Sequence, residues 1–171
     1  MLPLARRSVL RAARSPLKPS YLAPTSRTSF PARLASTLAI LEQREGKLNS
    51  ASLGAVTAGT KIGGSITGFI AGKNAKAVAE ETSKVEGLEK ILVAENEAYD
   101  RGLAENWAPL LVENIKKGGF THVIVGHSAF GKNLLPRVAA LLDVQQISDV
   151  MGIESEDSAF SNSWIPLAIV C

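Results

Sequence analysis

The amino-acid sequence predicts an α/β fold: a doubly wound, mostly parallel sheet with helices on both faces. Three observations carry that prediction. From Ser36 onward, short β-branched runs alternate with helical segments. The runs are continuous apolar stretches rather than strict apolar–polar alternation, as expected of strands covered on both faces by crossover helices. Glycine pairs and helix-capping residues punctuate the boundaries.

In chain order the expected strands are Thr37–Glu42, Ser65–Ala71, Lys90–Ala94, Thr121–Gly126 and Gln146–Ile153. Helical segments are expected between them at Ser52–Ile62, Ala75–Val85, Asn106–Lys117 and Asn133–Leu142. Gly63 and Gly64 end the first helix, and Gly72-Lys73-Asn74 turns into the second with Asn74 as its cap. Lys116 and Lys117 followed by Gly118 and Gly119 give cations in a last turn and glycine just beyond it. Pro109 and Pro136 are placed near the third position of their helices, where a missing N–H costs little. Trp107, Leu111 and Ile115 repeat at helical spacing, as do Leu134, Leu135, Val138 and Leu142. Both stripes read as core.

The chain has 171 residues, 46% hydrophobic and 20% charged, which describes an ordinary globular composition. No apolar stretch approaches the ~20 residues of a membrane-spanning helix. Charge is unevenly placed. Residues 1–35 hold Arg6, Arg7, Arg11, Arg14, Lys18, Arg27 and Arg33 and no acidic residue, whereas the remainder carries 12 basic against 16 acidic residues. An Arg- and Ser-rich, acid-free start reads as an organelle-targeting presequence, with cleavage expected between Leu34 and Thr37. The alternative is a basic tail that binds RNA or acidic lipid. Without the presequence the chain is mildly acidic, so its overall charge of +3 says nothing about partners. Cys171 is the single cysteine, which excludes an internal disulfide. His122 and His127 have no clustered carboxylates in sequence, so no metal site is expected.

Gly126-His127-Ser128-Ala129-Phe130-Gly131-Lys132-Asn133 lies one residue from the Gly-x-x-x-x-Gly-Lys-[Ser/Thr] phosphate loop, between an expected strand and an expected helix. Asn133 stands where a hydroxyl would ligate Mg²⁺, and an amide is a poorer ligand for a small hard cation. The motif follows the fourth strand rather than the first, and Asp149, the only candidate metal-side aspartate, falls inside a strand run. Two readings stay open. Gly126, Gly131, Lys132 and Asn133 form an anion- or nucleotide-binding loop, or Gly126 and Gly131 shape a turn that Asn133 caps. Gly59 to Gly64 ends a helix instead of opening one, unlike a dinucleotide fingerprint. Ser128 lacks a Gly-x-Ser-x-Gly setting, so no hydrolase triad is expected.

The thirteen residues Ser128-Ala129-Phe130-Gly131-Lys132-Asn133-Leu134-Leu135-Pro136-Arg137-Val138-Ala139-Ala140 resemble the electron transfer flavoprotein alpha-subunit family. So do Ile147-Ser148-Asp149, Thr57 to Gly64 and Ile70-Ala71-Gly72, and the likeness covers about residues 36–158. The resemblance implies an alpha/beta heterodimer of the mitochondrial matrix. Such a heterodimer takes electrons from acyl-CoA dehydrogenases and passes them to a membrane-bound quinone oxidoreductase in fatty-acid beta-oxidation. It implies FAD held mainly by a C-terminal domain of the alpha subunit, and a structural AMP in the beta subunit. In the alpha N-terminal domain it implies a nucleotide-binding-like fold without the nucleotide function.

The expected organisation is a presequence (1–35), an α/β domain (36–160) and a non-family tail (161–171). The chain stops before the family's flavin-bearing half and reads as truncated. The tail is expected either at a sheet edge, in place of a family strand, or unpaired. On this reading the chain is no enzyme and has no catalytic, FAD-binding or metal-binding residue. Its role is scaffold and beta-subunit interface, with an adenine-nucleotide-binding module at Gly126–Asn133 as the alternative.

Overall fold

Residues 38–41, Leu-Ala-Ile-Leu, are fully buried, and that requires cover on both sides of the strand that carries them. The structure, a computed structural model, describes residues 35–153 and 168–170. The presequence reading, Ala35 apart, and most of the proposed tail lie outside the described residues. Strand β1 (Ser36–Ile40) leads into a two-stranded hairpin, β2 (Gln43–Arg44) and β3 (Lys47–Leu48), and then helix α1 (Ser50–Ile62). Next come β4 (Ser65–Gly72), α2 (Ala75–Thr82), β5 (Lys90–Glu95) and a 3₁₀ turn at Glu97–Tyr99. Helix α3 (Ala104–Gly118), β6 (His122–Val125), α4 (Ala129–Leu142), β7 (Gln146–Ile147) and β8 (Ala168–Val170) follow.

Six strands form one sheet in the order β5-β4-β1-β6-β8-β7, with every pairing parallel. The side chains of β1 alternate between two cores. Leu38 and Ile40 join Phe69, Val123 and Val125 beneath α3 and α4, where Trp107, Leu111, Leu134 and Val138 close the layer. Ala39 and Leu41 face the other way, toward Val56 of α1 and Val78 of α2. This is the doubly wound α/β arrangement expected, with both helical stripes in the core. Arg137 of α4 donates to the Glu105 carboxylate of α3. The carboxyl of Glu105 is held below its ordinary range first by a backbone N–H and then by that guanidinium.

Four expectations are corrected. Helix α4 begins at Ala129, well before Asn133, because Ser128 caps it by accepting the Gly131 N–H at 3.2 Å. Pro136 therefore lies well inside α4, and Pro109 lies well inside α3 because that helix already begins at Ala104. Both are exposed, so the carbonyls that lose a partner face water. The last expected strand stops at Ile147: Asp149 takes a left-handed backbone (φ 57°), which an aspartate tolerates but a strand does not. The tail is not at a sheet edge where it is described, since β8 sits between β6 and β7. The β2–β3 hairpin was not anticipated. Its turn residues, Glu45 (φ 51°) and Gly46 (φ 76°), are both left-handed, as a two-residue hairpin turn prefers.

Among the described residues, the Thr37 hydroxyl is a buried side-chain polar atom without a hydrogen-bond partner. An unpaired buried hydroxyl is a net cost. Thr37→Val keeps the shape and removes that cost, so urea unfolding should show a gain of about 1 kcal/mol.

Candidate functional site

In doubly wound sheets, ligands sit outside the carboxyl ends of the strands, where the strand order reverses. Here β4 and β5 are laid down on one side of β1, and the chain then returns to place β6 on the other. The reversal lies between β1 and β6. The segment after β1 runs Leu41-Glu42-Gln43, and the segment after β6 runs Gly126-His127-Ser128.

The first segment carries the polar chemistry. Glu42 is buried, with 7% of its side chain exposed. Its Oε1 accepts from Arg44 Nε at 3.1 Å and its Oε2 from Asn49 Nδ2 at 2.9 Å. Asn49 is also the cap of α1, its Oδ1 accepting the Ala51 N–H, and its own N–H donates to the Glu42 carbonyl. The Ser52 hydroxyl accepts from the Glu42 N–H and lies 3.3 Å from the Glu42 carbonyl, to which it donates. One network thus ties the end of β1, the hairpin and the start of α1. Gln43 extends it: Oε1 accepts the Gly46 N–H, and Nε2 donates to the Ala71 carbonyl of β4.

A cleft of about 500 Å³ opens beside this network, with Glu42, Arg44, Arg101, Phe130 and Asn133 in its walls. Its floor is aromatic. Trp107 meets Phe130, Phe69 and Tyr99 edge-to-face, at centroid distances of 4.9, 6.1 and 6.2 Å. Trp107 Nε1 donates to the Tyr99 carbonyl. Trp107 and Phe130 are buried in this cluster, which commits their rings to one another.

The four residues singled out in sequence do not form one loop. Gly126 is at the strand end, and only His127 and Ser128 separate it from α4. Gly131, Lys132 and Asn133 lie inside the helix. Gly131 is buried, while Lys132 and Asn133 are exposed. Gly126 has a packing reason to be glycine: a Cβ there would come within 2.5 Å of the Ala51 carbonyl oxygen, so the first turn of α1 rests on it. Beside it, His127 Nε2 approaches Asp149 Oδ1 at 3.0 Å, tying the turn to the segment after β7.

Glu42 is absent from the residues that the sequence singles out, although its carboxylate anchors this network. The available signal was a charged residue at the end of the Leu-Ala-Ile-Leu run, followed by two more polar residues. The boundary assigned here has measurable consequences for thermal or urea unfolding. Ser128→Ala should cost about 1 kcal/mol as the loss of a cap. Asn133→Ala should stay within about 0.5 kcal/mol as an exposed helix position. Gly126→Ala should cost about 1–3 kcal/mol through overpacking against α1.

Comparison with known proteins locates this geometry in a family. A family profile described as "Electron transfer flavoprotein domain" matches residues 37–165. The chain is 44% identical over 126 residues to the probable electron transfer flavoprotein subunit alpha, mitochondrial, of Caenorhabditis elegans, covering 74% of this chain and 38% of that protein. It is 48% identical over 121 residues to the electron transfer flavoprotein subunit alpha of Pseudomonas aeruginosa, covering 71% and 38%. With the Schizosaccharomyces pombe protein, named as the nematode one is, identity is 40% over 124 residues, covering 72% and 36%. The chain thus spans little more than a third of the length of these relatives. With three-quarters of its residues matched by the profile and alpha subunits as its relatives, the chain belongs to the electron transfer flavoprotein domain family.

Proposed function

We propose that this chain supplies the amino-terminal α/β scaffold of an electron transfer flavoprotein alpha subunit, packing against a beta subunit and supporting a flavin-bearing part without performing chemistry itself. In the whole protein FAD carries the electrons, taken from acyl-CoA dehydrogenases and passed to a membrane-bound quinone oxidoreductase during fatty-acid beta-oxidation. Residues 1–35 act as a presequence for the mitochondrial matrix; the nematode and fission-yeast relatives are named mitochondrial. Among the described residues no helix is long and apolar enough to cross a membrane.

The observation that carries the scaffold reading is the buried Glu42 carboxylate at the point of strand reversal. A dinucleotide would bring its pyrophosphate to that crevice, where the Arg44 guanidinium and the Asn49 amide are already committed to the Glu42 carboxylate. Two features of the crevice support the scaffold reading over a flavin site. The Ala51 and Gly131 N–H groups at the two nearby helix starts already donate to Asn49 and Ser128, and the buried Trp107 and Phe130 present no free ring for stacking.

Co-expression with an electron transfer flavoprotein beta subunit tests the proposal. The chain should elute with beta as a one-to-one complex, and purified alone it should lack a stoichiometric flavin absorption band. One FAD per isolated chain, or no complex with beta, would overturn it. Heat on titration with AMP that disappears in Lys132→Ala would favour the nucleotide-binding reading instead.

A further inference from the structure

We infer that Glu42 occupies a preformed small-oxyanion site with its own carboxylate, and that shortening this side chain opens the site to a free carboxylate or phosphate. The donors come from two separate elements. Arg44 reaches in from the hairpin with Nε at 3.1 Å, and Asn49 from the start of α1 with Nδ2 at 2.9 Å. A guanidinium and a fixed amide are donors that suit an oxyanion. The amino end of a helix adds a favourable field, and Asn49 stands at the amino end of the thirteen-residue α1.

The Asn49 half of the site does not depend on the Glu42 side chain for its shape. Asn49 is held by its N–H to the Glu42 backbone carbonyl, and its amide is oriented by the bond from the Ala51 N–H to Oδ1. Ser52 bonds only backbone atoms of Glu42. All of these survive truncation, so Nδ2 stays aimed at the vacated position. Arg44 is 72% exposed at its side chain, and with Glu42 it lines the cleft of about 500 Å³, which gives a dissolved anion a way in. Glu45 and Asp100 line the same cleft and oppose an anion, but both are exposed and screened by solvent. Arg101 partly balances them. Because the donors are set around a planar carboxylate, formate is the preferred occupant and phosphate the bulkier second choice.

The test is thermal unfolding of Glu42→Ala at constant ionic strength, with formate or phosphate replacing chloride. Formate should raise the unfolding temperature saturably, by about 4 °C at ten times its Kd. The unaltered chain should not respond in this way, and Glu42→Ala combined with Arg44→Ala should lose most of the rise. Phosphate stabilises many proteins by exclusion from their surface, so its effect is read as the excess over the unaltered chain. A saturable excess with phosphate alone supports an oxyanion site of tetrahedral preference. Equal responses in variant and unaltered chain, or none in either, overturn the inference. Should Glu42→Ala fail to fold in chloride, refolding yield in formate becomes the readout. A chain that folds as Glu42→Gln but is not recovered by formate as Glu42→Ala also overturns it. The measurement needs neither flavin nor beta subunit, so its failure leaves the scaffold reading untouched.

Discussion

A strand with no side open to water governs this fold. Residues Leu38 to Leu41 lose all solvent contact, their backbone is paired with β4 and β6, and their side chains divide between two cores. Burial of that kind stabilises only if helices lie on both faces. Parallel pairing supplies them, because each return to the sheet needs a crossover. Right-handed crossovers then assign helices to faces according to the direction in which strands are added. The faces α1 and α2 share, and those α3 and α4 share, follow from β1 being central.

The same constraint moves polar function to the strand ends. Glu42 is the first charged residue after the apolar run, and it is still buried. A buried charge must be paired and hydrogen-bonded to be tolerated. Arg44 and Asn49 meet that requirement locally while Ser52 holds the Glu42 backbone, and together they fix the hairpin and start α1. At the strand ends where related architectures place a ligand, the junction of three elements forms one wall of the cleft. Gly126 completes the junction from the β6 side, since the backbone of α1 rests where any side chain would stand.

The layers of the fold were legible because they follow from periodicity. Continuous apolar runs gave four of the strands, and the stripe through Trp107, Leu111 and Ile115 gave the buried face of α3. Boundaries were less so. Ser128 and Asn133 are both good caps by residue type, and choosing between them requires knowing which one lies beside a free N–H. The resemblance of Gly126–Asn133 to a phosphate loop arose because a strand, a short turn and a helix produce that spacing whether or not an anion is bound. Glu42 was hidden for a different reason. A carboxylate at a strand end looks like a solvated terminus until Arg44 and Asn49 are seen to fold back over it. The hairpin that brings them there depends on two left-handed residues, and Glu45 is not a residue type that announces one.

The order of strands at the far side of the sheet also bears on time. Among the described residues, β7 touches the sheet only through β8, which follows it in the chain yet lies between it and β6. Synthesis delivers β7 before its neighbour exists. The half built on β1, β4, β5 and β6 can assemble first, and Gln146 and Ile147 must wait for residues 168–170 to arrive and pair with His122 to Ile124. Non-local pairings of this sort are slow, and strands left unpaired meanwhile are exposed to other chains. For a polypeptide whose relatives are named as subunits, the arrival of β8 also decides how long this side of the sheet stays open to the wrong partner.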